Sequence, residues 1–274
     1  MKKYKPPHFL CLDRMILAIV YLVVLFNSQL VLAQQPTTDK EESKPISSVQ
    51  AVKIIAPDEQ ILGADYYNGE ETGPGVLILH DCTDTSKSYI DLGEKLSSKG
   101  IHTLILDFRG YGASSSKVFS HQKLKEDAKN IVAYQKDIGA LTAYWELDVL
   151  TAFNYLRTKM DNQRNIALVS VGCASVYAVA LAEKMRVHAM VLITPKMDYG
   201  SKERYKNLID IPNYFINSSH HTDTLATSKE LFEWNSSKNS KIQIFNNDVD
   251  GYSLLRENKG LIDDISSWLN QNIR

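Results

Sequence analysis

No histidine follows His221, so the last part of the chain cannot supply an imidazole base. Neither sign of charge is in excess: Lys plus Arg number 31, Asp plus Glu 32, and the formal net charge is −1. This balance gives no electrostatic pointer to nucleic acid as a partner. No internal repeat is visible, which argues against a solenoid or propeller. The longest apolar run, Met15 to Phe26, is broken by Asn27, Ser28 and Gln29 before it reaches full spanning length. No cysteine directly follows that run, which argues against a lipid anchor. The neighbouring His220 and His221 lack a third ligand at metal-binding spacing, and neither a metal nor another cofactor is expected.

What is present fits one sizeable α/β domain: 274 residues, of which 44% are hydrophobic. Lys2, Lys3, Lys5 and Arg14 precede the apolar run, and Val31-Leu32-Ala33 offers a cleavage site. Residues 1–33 therefore read as a signal peptide, which predicts a periplasmic or secreted protein. The alternative is an uncleaved N-terminal anchor, the one case that would bring a membrane into play. Residues 34–48 are polar and read as a flexible linker, and residues 49–274 as the folded domain. Cys11 leaves with the leader, so Cys82 and Cys173 are the cysteines of the mature chain.

From Val52 onward, short apolar runs alternate with helical patterns, which predicts a mostly parallel sheet with helices on both faces. Val52 to Ala56 and Ile61 to Tyr67 form an opening hairpin across Pro57-Asp58. Further strands are expected at Gly75 to His80, His102 to Asp107, Asn165 onward, His188 to Thr194, Asn213 to Asn217 and Lys241 to Asn246. Helices are expected at Ser86 to Lys99, Asp148 to Arg157 and Leu261 to Ile273. Ser116 to Trp145 is charged and partly helical, either a small cap or a surface helix, with no room for a large lid.

The stretch Asn165 to Ala182, NIALVSVGCASVYAVALA, runs from an apolar strand through small residues into an apolar helix. It resembles the nucleophile elbow of the α/β-hydrolases, with the nucleophile missing. Asp107-Phe108-Arg109-Gly110-Tyr111-Gly112-Ala113-Ser114 is similar to that superfamily's D-x-R-G-x-G-x-S loop, and His80 matches the first residue of its His-Gly oxyanion loop. The layout most resembles dienelactone-hydrolase-like and serine-aminopeptidase-like members. The resemblance implies an α/β-hydrolase fold across nearly the whole mature chain, and acyl transfer by a nucleophile, an acid and a histidine base in that chain order.

Laid on the family's pattern, Ser170, Ala174 and Ser175 take the small positions of the elbow, and Gly172 stands where the serine belongs. Sliding the frame by one puts Cys173 there, but then Val171 and Val176 fall where small residues are wanted. An elbow holds its central residue at positive φ, a strain that glycine relieves. The base position carries Asp250, before Gly251, and the acid position falls on His221. Asp223 lies two residues further on and also suits the N-cap of the next helix.

The oxyanion loops contain His80, Asp81 and Cys82 on one side and Cys173 on the other. In the family, N–H groups from these loops aim at one oxygen, so the resemblance makes a Cys82–Cys173 disulfide plausible. Such a bridge would plug the oxyanion hole and, in the chain-entropy account, stabilise by about 4 to 5 kcal/mol. The alternative is a pair of buried thiols packing as small hydrophobes. The leading expectation is an exported pseudoenzyme that binds an unidentified ligand or protein partner. The rival is an esterase- or peptidase-type hydrolase with Cys173 as nucleophile and His80, or the His220–His221 pair, as base. Tyr111, Tyr144, Trp145 and Tyr252 line a cleft or fill a core, with packing the expected role.

Overall fold

The computed structural model describes residues 49–161, 163 and 165–273, so the expected leader and linker lie outside the described residues. The chain enters through an antiparallel hairpin of β1 (Gln50–Ile55) and β2 (Ile61–Tyr67). The next strand, β3 (Gly75–Leu79), is buried along its whole length, as a continuous apolar run between two helical layers requires. A 3-10 turn at Ser86–Tyr89 leads into α1 (Ile90–Ser98), and β4 (His102–Leu106) follows. The stretch left open between surface helix and cap folds as α2 (His121–Asp127) and α3 (Ile131–Thr142). Ser120 and Asn130 cap their N-termini, their side chains accepting from the N–H groups of Lys123 and Ala133.

Next come α4 (Trp145–Arg157), β5 (Ile166–Val171), α5 (Ser175–Lys184), β6 (Ala189–Ile193) and α6 (Tyr199–Tyr205). The chain continues with β7 (Asn213–Ser218), α7 (Thr222–Trp234), β8 (Lys241–Phe245), α8 (Tyr252–Glu257) and α9 (Leu261–Asn272). The strands form one eight-stranded sheet in the order β1-β2-β4-β3-β5-β6-β7-β8. All pairings from β4 to β8 are parallel, and β2 meets β4 antiparallel.

Strand alternation divides the core between the two faces. Leu77, Leu104 and Leu168 pack with Val149, Phe153, Ala178 and Tyr205 from α4 to α6. On the other face, Ile78, Ile105 and Val169 meet Leu92, Leu254, Ile265 and Leu269 from α1, α8 and α9. A fully buried side chain of this kind contributes about 1.5–3 kcal/mol, so the sheet is anchored from both sides. From β3 the chain moves outward to β4, and β5 then returns to the other side of β3. At such a reversal the loops at the carboxyl ends of β3 and β5 diverge and leave a crevice, the usual site position in an open α/β sheet.

Candidate functional site

The crevice is built around Gly172. β5 ends at Val171, a 3-10 turn covers Gly172–Ala174, and α5 begins at Ser175. Gly172 has φ +55°, so the glycine and not Cys173 occupies the left-handed corner of the elbow. Ser170 and Ser175 are buried beneath it and hydrogen-bond to each other at 3.2 Å.

The space above Gly172 is filled by Asp81. Its Oδ1 accepts hydrogen bonds from the backbone N–H of Cys82 at 2.8 Å and of Cys173 at 3.0 Å. These are the two N–H groups that an oxyanion hole on this fold contributes. The two N–H groups that the resemblance assigns to the oxyanion hole thus converge on one point, and the chain's own carboxylate sits there. A Cβ on Gly172 would lie 2.1 Å from the same oxygen, which no side chain tolerates. The carboxylate occupies both the place of a nucleophile and the place of a developing oxyanion. The plug is thus a carboxylate, whereas the sequence suggested sulfur. Oδ2 accepts from the Thr83 hydroxyl at 3.1 Å.

Cys82 and Cys173 are joined by a disulfide, with Cα atoms 5.9 Å apart. Of the two alternatives left open in the sequence, the bridge is the one present. The bridged cysteines flank the hole, and their backbone N–H groups remain free to bind Asp81. The Asp81 carboxylate and the two sulfurs lie within 4.8 Å of one another, a ligand-like grouping, but the bridge consumes both thiols.

His80 is not placed as a base. Its Nε2 accepts from the N–H of Phe108 at 3.0 Å, so Nδ1 carries the proton and donates to the carbonyl of Asp81 at 2.6 Å. The ring is fully buried against Phe108 and Tyr111, and burial holds its pKa below the usual histidine range. It is a neutral strut shaping the turn after β3, which removes it from the rival Cys173–His80 arrangement.

Asp250 and His221, the residues the resemblance assigns to the base and acid positions, share a polar cleft of about 360 Å³ with Lys196, His220 and Asp223, among others. Asp250 pairs with Lys196 at 3.3 Å, and Lys196 also lies 3.7 Å from Oδ2 of Asp81. His221 faces Asp248 at 3.5 Å. His221 itself takes the N-cap place of α7 and Asp223 lies within the first turn, correcting the expectation that Asp223 caps this helix.

Lys196 and Thr194 carried no signal in the sequence. Thr194, just after β6, has φ +43°, an outlying conformation for a β-branched residue. Its hydroxyl accepts from the N–H of Gly251 at 3.1 Å, and the N–H of Lys196 donates to the carbonyl of Gly172 at 3.0 Å. This strained turn ties the base loop to the elbow. Asp81 had a usable signal, since it follows His80 where the family's loop has glycine.

The D-x-R-G-x-G-x-S loop is structural. Asp107 accepts from the N–H groups of Ser86 and Ala113, and a Cβ on Gly112 would meet its carboxylate at 2.3 Å. Arg109 is fully buried and bonds both Asp148 and Asp58, which keep it charged. Tyr144 lies on the guanidinium face at 4.3 Å.

Above this loop, α2 and α3 roof a mostly apolar cavity of about 610 Å³, walled by Cys82, Tyr111, His121, Tyr134, Ile138 and Trp145 among others. The open segment is therefore a small cap. Tyr111 and Trp145 are buried and also wall this cavity, so they are both packing and lining; Tyr252 packs edge-on against Tyr89.

No curated protein matches the chain. Among solved structures it is similar to an esterase from Pyrococcus furiosus, at 14% identity and TM-score 0.61, covering 83% of this chain and 92% of that one. A dienelactone hydrolase from Anabaena variabilis matches at 16% identity and TM-score 0.61, covering 84% and 100%. The esterase domain of a Rhodothermus marinus protein matches at 12% identity and TM-score 0.60, covering 83% and 100%. At these identities the likeness is one of fold, and the sheet order and elbow geometry agree with it. Residues 71–251, more than half of the chain and spanning every loop of the crevice, match the family described as serine aminopeptidase, S33. The chain belongs to that family of the α/β-hydrolase superfamily.

Proposed function

We propose that this is an exported α/β-hydrolase-fold protein that lacks triad-based hydrolysis and uses the cavity beneath its cap to bind a small apolar molecule. The observation that carries the reading is the Asp81 carboxylate seated on the N–H groups of Cys82 and Cys173 directly over Gly172. An oxyanion hole works by offering unoccupied donors to negative charge that develops during reaction. A resident carboxylate removes that differential stabilisation, and it also fills the space a nucleophile needs. Asp250 in the base position and the bridged Cys173 support the same reading. Loss of chemistry leaves the cap cavity as the surviving ligand-sized feature of the site.

The test is turnover of p-nitrophenyl acetate and butyrate by the purified mature chain, with and without reductant, beside its Cys173→Ala variant. No turnover above buffer is expected from either protein. Turnover that disappears in the variant would establish the rival, a hydrolase using Cys173. Export is checked by intact mass: the secreted chain is expected to lack residues 1–33, and retention of the leader would mean a membrane-tethered protein.

A further inference from the structure

We propose that Cys82–Cys173 is an exchangeable disulfide, and that the crevice accepts electrons from a thiol-bearing substrate entering through the cap cavity. The geometry of the bridge carries the idea. Both cysteines are partly exposed, and Cys82 forms part of the wall of the 610 Å³ cavity, so an incoming thiolate reaches this cysteine. Cys173 sits in the turn that opens α5, where the helix N-terminus favours a thiolate and makes its sulfur the better leaving group. The buried Asp81 carboxylate lies within 4.8 Å of both sulfurs and holds the two loops that carry them together.

A second observation shows that the frame around the bridge does not depend on the covalent bond. The backbone of Cys82 is held by its N–H to Asp81 and by its carbonyl, which accepts from the Tyr111 hydroxyl at 2.7 Å. The backbone of Cys173 is held by its N–H to Asp81. Both cysteines thus stay in place when the covalent bond opens. Opening the bridge therefore needs no unfolding of the chain, and exchange proceeds in the folded protein.

The chemistry balances with a dithiol, such as a peptide cysteine pair, as the electron donor. One substrate thiolate attacks Sγ of Cys82; the S–S bond breaks and Cys173 leaves as thiolate with the electron pair. The second substrate thiolate then attacks the substrate sulfur of the mixed disulfide, forming the substrate disulfide and releasing the Cys82 thiolate. Two thiols are oxidised, and the cysteine pair gains two electrons and two protons, the protons exchanging through solvent. A second disulfide, such as oxidised glutathione, restores the bridge by the reverse exchange.

The test equilibrates the full mature chain in native buffer with reduced and oxidised glutathione, followed by alkylation and mass analysis, with folding monitored by circular dichroism. Interconversion of the bridge in the folded protein at millimolar glutathione is expected. Cys173→Ser, which leaves Cys82 free, is expected to form the glutathione adduct at least tenfold faster than Cys82→Ser. A structural bridge shielded by the fold opens no faster than the chain unfolds. A bridge that opens only after denaturant unfolds the chain overturns the proposal. Ester turnover is not read in this experiment, so its outcome is independent of the hydrolysis test.

Discussion

Asp81 and Gly172 form one unit, because the carboxylate rests where any larger side chain at 172 would be, with 2.1 Å between Oδ1 and a Cβ built on the glycine. Restoring serine alone should therefore fail to restore a site. Gly172→Ser takes on positive-φ strain of about 1–3 kcal/mol and a clash besides. It should lower the unfolding free energy in urea without producing ester turnover. In an Asp81→Gly background the clash is gone, so the same substitution should cost less, with a coupling of about 0.5–3 kcal/mol. Additive effects across that cycle would show that the two positions do not compete for one space. Lys196 has a smaller structural role. Its side chain is 46% exposed between Asp81 and Asp250, and an exposed pair of this kind contributes at most about 1 kcal/mol. Lys196→Met should accordingly shift the urea midpoint only slightly, and a large loss would reveal a buried network.

The two cap helices decide what the crevice can hold. Ile138 projects from α3 into the cavity wall opposite Trp145 and Cys82, without being part of the buried core. Ile138→Trp should fill the cavity while leaving the sheet undisturbed. Binding of the apolar fluorophore anilinonaphthalene sulfonate should weaken at least tenfold, with the thermal midpoint unchanged within a few degrees. Unaltered dye binding would place the apolar site elsewhere. At this scale the sequence was highly legible: apolar runs bounded by turn residues located every strand from β1 to β8, the buried parallel strands by continuous apolar runs and the opening antiparallel pair by the turn residues Pro57 and Asp58 between them. The bounds of α4 were less so, since Trp145 to Leu147 extends the helix beyond the pattern that began at Asp148. The elbow register was legible because only small residues fit the corner. The filling of the oxyanion hole was not: a side chain crossing between two loops leaves no periodicity, and the Asp81 that follows His80 showed only as a departure from His-Gly. Thr194 and Lys196 were equally hidden, their roles depending on how β6 ends beside another strand's loop.

For the molecule as a whole, buried imidazoles set the response to acid. Burial lowers the pKa of His80, and also of His102, His121 and His188, below the usual histidine value of 6.5. The unfolded chain then binds more protons than the folded one as pH drops through that value, so the unfolding free energy must fall with it. The contribution is fully present above about pH 7 and declines below about 6.5, at no more than about 1.4 kcal/mol per pH unit for each histidine that stays neutral when folded. His80 should dominate, because its proton on Nδ1 and its acceptor at Nε2 both serve backbone groups and the added proton would leave the Phe108 N–H facing a donor. Asp148 is shifted upward by burial, which opposes this trend only once the pH enters the carboxylate range. Urea unfolding at pH 7.5, 6.5 and 5.5 should therefore give steadily smaller free energies, the total drop exceeding about 1 kcal/mol. A flat profile over that span would mean that His80 takes up its proton as readily in the folded chain as in the unfolded one, and with it the turn that carries Asp81 would need a different hydrogen-bond arrangement.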